Sequence, residues 1–93
     1  PSDVYKRQHR MSHQEFESNV FEFVRSHVAF LCDRSADSIR GDTDFFELGL
    51  DSLRVISLAR AIQEKFGHDV SLREFYSACS VGSMTKLICE RHG

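Results

Sequence analysis

A serine hydroxyl can form a stable phosphate ester, and one serine of this chain stands where an anion is favoured. The run Phe45-Phe46-Glu47-Leu48-Gly49-Leu50-Asp51-Ser52-Leu53 reads as a packed turn, a glycine, an N-cap acid and a serine at the first position of a helix. Gly49 supplies the positive φ that turns the chain sharply into that helix. Ser52 then lies at the helix mouth, where free backbone N–H groups and the dipole favour negative charge. Asp and Ser are also common as plain helix caps, so position alone leaves a modified serine and a simple cap both open.

Other chemistry fits less well. A nucleophile elbow needs Gly-x-Ser-x-Gly on a strand-to-helix turn; here Leu53-Arg54 follow the serine, and no strand pattern exists to hold a triad. His9, His13, His27, His68 and His92 are scattered, without metal-ligand spacing and without a base near Ser52. Cys32, Cys79 and Cys89 are odd in number and contain no Cys-x-x-Cys pair. They read as reduced, partly buried helix residues of a cytoplasmic protein. The net charge of −2 offers no basic face for nucleic acid. No apolar run approaches the roughly 18 residues of a membrane span, and no signal-peptide pattern opens the chain. A helix-turn-helix reading fails on a long acidic connection where a short turn is needed.

The elements that position Ser52 are helical. With 93 residues and 41% hydrophobic content, the chain supports one domain with a modest core. Residues 1–12, which include Lys6, Arg7 and Arg10, have no apolar period and read as a tail, with Met11 a possible native start. Phe16, Val20, Val24, Val28 and Leu31 recur at helical steps, which predicts a helix over 13–32, with Ser12 and Glu15 placed as a capping box. Residues 33–51 are rich in turn formers and acids and predict a long, partly packed loop with a helical turn near Asp44–Leu48. A second helix spans 52–66, between the Asp51 cap and Gly67. A short helix occupies 71–78, starting at Ser71, and a last helix follows Ser80. The expected fold is all-α: a small antiparallel bundle of three main helices and one short one, with a long loop after the first. One core should unite the first-helix stripe with Phe46, Leu48, Val55, Leu58, Ile62, Phe66, Leu87 and Ile88. On the wheel of helix 52–66, Leu53 falls opposite the core face with Ser57, Arg60 and Glu64. A lone exposed Leu is ordinary; beside a candidate modified serine it is a candidate partner contact.

The run Leu48-Gly49-Leu50-Asp51-Ser52-Leu53, preceded by Phe45-Phe46 and followed by a helix, resembles the attachment motif of the acyl and peptidyl carrier proteins. The likeness extends from about Glu15 to Cys89 and includes the Val81-Gly82-Ser83-Met84 helix start. It implies that Ser52 receives 4′-phosphopantetheine from coenzyme A through a phosphopantetheinyl transferase and magnesium. Asp51 matches the acid associated with transferase recognition and the metal. The resemblance further implies a non-catalytic, monomeric domain that carries intermediates as thioesters among loading, condensing and releasing enzymes. Helix 52–66 departs from the acidic fatty acid type, carrying Arg54, Arg60 and Lys65 against Glu64. Leu50 is closer to polyketide-type carriers, whereas peptidyl carriers often have glycine there. The expectation is an acyl carrier of polyketide or related secondary metabolism. The alternatives are a peptidyl carrier of nonribosomal synthesis and an unmodified interaction domain. Leu53, Arg54 and Arg60 are the expected docking residues, facing acidic partner surfaces.

Overall fold

The apolar stripe of the first predicted helix is wound as α1, His13–Leu31, with Val20, Val24 and Val28 wholly buried. The structure, a computed structural model, describes residues 13–92; the expected tail over 1–12, the start at Met11 and the Ser12 cap lie outside them. Three further helices follow: α2, Ser52–Phe66; α3, Leu72–Ser77; and α4, Val81–His92. No strand occurs among the described residues. The all-α bundle of three main helices and one short one is therefore the observed fold. α1 packs most extensively on α4 and also meets α2, while α3 lies against α2. α1 and α2 run antiparallel, since Phe16 near the start of α1 meets Phe66 at the end of α2 with ring centroids 5.6 Å apart.

The caps follow the sequence. Ser71 and Glu74 form a reciprocal capping box on α3, satisfying two otherwise free N–H groups. At α4 the Ser80 hydroxyl accepts from Ser83 N at 3.2 Å. Gly67 closes α2 in the left-handed region, φ 76°, with its N–H donating to the Gln63 carbonyl.

The loop over 33–51 differs from expectation in two respects. Asp44–Leu48 is the expected single helical turn, too short to count as a helix: Glu47 N and Leu48 N both donate to the Asp44 carbonyl, and the Asp44 carboxylate accepts from Phe46 N at 2.8 Å. The first difference is an additional helical piece, a 3₁₀ turn at Ala36–Ser38, capped by Ser35. The core assignment within the loop also changes. Phe45, not Phe46, is the fully buried ring; its N–H donates to the Cys79 carbonyl at 2.6 Å, and its ring lies near Phe75. Phe46 stays partly exposed and stacks on Tyr76, centroids 4.8 Å apart. Ile39, Leu50, Val70, Phe75, Val81 and Met84 join the core, while Phe16, Leu31, Leu48, Phe66 and Leu87 pack at its margin. The loop is sewn to α4 where Gly82 N donates to the Gly41 carbonyl at 2.8 Å. A Cβ on Gly82 would sit 3.1 Å from that oxygen, so a larger residue would have to push the Gly41 carbonyl back by a few tenths of an ångström.

Two of the three cysteines are not helical, contrary to expectation. Cys32 follows the end of α1 and Cys79 lies in the α3–α4 connection; Cys89 is within α4. All three are free thiols.

Candidate functional site

Ser52 is presented by a short chain of local causes. Leu50 is buried and its N–H donates to the Phe45 carbonyl at 3.2 Å, which pins the loop to the core one residue before the helix cap. Gly49, at φ 102° with nothing within 4 Å of where a Cβ would stand, makes the turn into that anchor. Its requirement is conformational and not steric, because an L side chain is disfavoured at this φ. Asp51 then caps α2: its Oδ1 accepts from Arg54 N at 2.9 Å. Ser52 follows as the first helical residue, exposed.

The surroundings suit a phosphate ester on the Ser52 hydroxyl. Among the described residues that hydroxyl is held by no hydrogen bond, so it is free to react. The first N–H groups of α2 have no intrahelical acceptor and carry the positive end of the dipole. The Arg54 guanidinium, from two residues beyond Ser52, stands 3.4 Å from Asp51 Oδ2. Both partners of that pair are about half exposed or more, so the pair contributes little to stability; its effect is to keep a cation and a carboxylate together at the helix start. Among the described residues no group of three or more His, Cys, Asp or Glu could hold a metal.

The sequence-predicted docking residues divide. Leu53 points away from the core and is 76% exposed. Arg60 is exposed. Arg54 is exposed but engaged with Asp51. Ile56, one turn beyond Ser52, is 53% exposed and was not singled out from the sequence; on the wheel it lies beside the core face. With Ala59, Arg60 and Leu72 it lines an open groove of about 270 Å³ between α2 and α3.

The thiols are poor competitors for chemistry near the serine. Burial raises the Cys32 thiol above the usual cysteine range, against a smaller opposing pull from Arg34 and Arg54. Burial also raises Cys79, assisted by the Asp44 carboxylate, and Cys89, assisted by Glu17. A thiol held neutral is a weak nucleophile at neutral pH.

A family model described as a phosphopantetheine attachment site matches residues 22–88. Fusarin C synthetase of Gibberella fujikuroi is 41% identical over 51 residues, covering 55% of this chain and 1% of that protein. The hybrid PKS-NRPs synthetase opdA of Penicillium oxalicum is 38% identical over 50 residues, 54% of this chain and 1% of the other. The chain thus spans about one hundredth of these synthetases' length. An acyl carrier protein of Sulfurovum sp. is 33% identical over 70 residues, which are 74% of this chain and 93% of that one. The NMR structure of the HMG-ACPI domain from the CurA module of Lyngbya majuscula superposes with a TM-score of 0.73, covering 81% of this chain and 76% of that one at 17% identity; it shows a shared fold.

Proposed function

This chain belongs to the phosphopantetheine attachment-site family of carrier proteins, and we propose that its modified residue is Ser52, on which it tethers intermediates of polyketide or related secondary metabolism. Family membership carries the covalent 4′-phosphopantetheine group and dealings with catalytic partner domains. When bound, that group supplies a long flexible arm ending in a thiol, on which acyl cargo travels as a thioester.

The observation that carries the assignment to Ser52 is its place: an exposed hydroxyl at the first position of α2, inside the segment matched by the family. The residues around it have separate tasks. Asp51 holds the helix start through Arg54 N, so the Ser52 hydroxyl faces outward whatever enzyme approaches. Asp51 Oδ2, engaged only by the exposed Arg54 guanidinium at 3.4 Å, stays within reach of a transferase and its magnesium. The free N–H groups of the first turn offset the charge of the phosphodiester. The domain works by presentation, as a monomer, and leaves catalysis to its partners.

Leu53, Ile56 and Arg60 form the surface those partners read. A small apolar anchor gives a brief contact its grip, and rim charges set encounter rate and partner choice. α2 carries Arg54, Arg60 and Lys65 against Glu64, so the matching surfaces on loading, condensing and releasing enzymes are acidic.

The similarity to a hybrid PKS-NRPs synthetase supports a second reading, a peptidyl carrier. The holo-protein distinguishes the two: acyl transfer from acyl-coenzyme A supports the acyl reading, and charging by an amino-acid-adenylating domain the peptidyl one. Attachment is tested by incubation with coenzyme A, magnesium and a broad-specificity phosphopantetheinyl transferase. Intact mass should rise by one phosphopantetheine, and peptide mapping should place it on Ser52. Modification of a different serine overturns the site, and a chain that is never loaded overturns it in favour of an interaction domain.

A further inference from the structure

At the end of α2 remote from Ser52, two imidazoles separated by 24 positions in the chain face each other. His68 Nε2 and His92 Nδ1 are 3.4 Å apart. The distance is long for a good N–H hydrogen bond, for which roughly 2.7–3.2 Å is usual. It matches two nitrogens bound to one tetrahedral ion: with each about 2.0–2.1 Å from zinc, their separation is about 3.3–3.4 Å. We propose that His68 and His92 together form a binding site for a divalent transition metal of the zinc class.

Both rings sit on anchored backbone. His92 is stacked on Phe16, centroids 3.9 Å apart and planes 16° from parallel, which restricts its rotation. His68 follows Gly67, whose N–H is bonded to Gln63. The connection beyond it is tied to α4 by Arg91, which donates to the Asp69 carbonyl at 2.8 Å and pairs with Glu74. That pairing also reduces the repulsion a nearby guanidinium would exert on a metal ion. Ligands held in place before binding lose less entropy on binding. Imidazole suits zinc and its neighbours better than magnesium or calcium. Among the described residues no third protein ligand converges, so water completes the coordination. The bound ion clamps the last turn of α4 to the α2–α3 connection. It does so at the far end of a 15-residue helix, about 22 Å from the serine, and so leaves loading unaffected.

The test is a thermal melt of the full chain titrated with zinc chloride, reversed with a chelator. At about tenfold excess over Kd the Tm should rise by roughly 5–10 °C. His68→Ala, which leaves the Phe16 stack in place, should remove the zinc-dependent rise, as should His92→Ala. The increment is the readout, because His92→Ala also lowers the baseline by losing its stack. Zinc-induced shifts of the His68 and His92 ring protons, with Ser52 loading unchanged, would complete the support. No rise at millimolar zinc, or a rise that survives in the double variant, overturns the site.

Discussion

The two ends of α2 are held in opposite ways. At its N-terminus a carboxylate cap and one buried residue, Leu50, support four exposed positions, Asp51 to Arg54. At its C-terminus Phe66 is edge-on to both Phe16 and Phe23, Gly67 closes the helix, and the following connection is tied to α4 through Arg91. One end is shaped for access and the other for cohesion. A residue at the first end can change what the protein does without changing whether it folds, and the reverse holds for residues deeper in the bundle. The core between them, through Val55, Leu58 and Ile62, lets the exposed end be sparse.

The sharpest way to break this contrast is Ser52→Ala. Loading should be lost entirely in intact-mass measurements while Tm and helical circular dichroism stay those of the parent, because the hydroxyl is not a core group. A large fall in Tm would show the serine to be structural. Next in size, Phe45→Ala should cost about 3–5 kcal/mol and Leu58→Ala about 2–5 kcal/mol, read from denaturant midpoints. Both are fully buried, and such losses are a large share of a small domain's stability. Phe66→Ala should fall at the lower end, since that ring is at the core margin. Parent-like unfolding of these variants would mean the helix faces are packed otherwise.

Smaller effects refine the picture at the accessible end. Asp51→Ala removes the cap on Arg54 N and should cost about 1 kcal/mol, while also slowing loading by the transferase. Leu53→Ala should lower kcat/KM for transfer to cognate enzymes about fivefold, the equivalent of roughly 1 kcal/mol, with Tm unchanged. Arg60→Glu should act through rate and its salt dependence. Unaltered kcat/KM in both at low salt would remove α2 as the docking surface.

The smallest effect concerns the thiols. Burial raises all three above their ordinary range, so the folded state favours the neutral form. The stability this contributes is complete below the unfolded thiol's pKa and is lost as pH rises through the raised folded value. Alkylation of the native apo-protein should therefore be slow at neutral pH and accelerate only above the usual cysteine range, with Cys89 slowest because it is buried. In the loaded protein the arm's thiol should react first; a cysteine of the chain that outruns it would contradict the burial seen here.

Local chemistry decided much of this protein before any tertiary contact formed. Turn formers, the Asp51 and Ser71 caps, Gly67 and the steps of four along α1 set where helices begin and end, because caps and helical periods act over one or two turns. The same short-range logic placed Ser52 at a helix start and Leu53 away from the core. Where no period exists, the sequence was mute. Phe45 and Phe46 are chemically equivalent neighbours; only the bond from Phe45 N to Cys79 and the space beside Phe75 decide which ring is buried. Ile56 lies beside the core face of its own helix, and it is the arrangement of α3 against α2 that leaves it open. His68 and His92 looked scattered because nothing local relates them; the bundle brings them within 3.4 Å. Elements are chosen by neighbours in the chain, but contacts between distant positions exist only once those elements have packed.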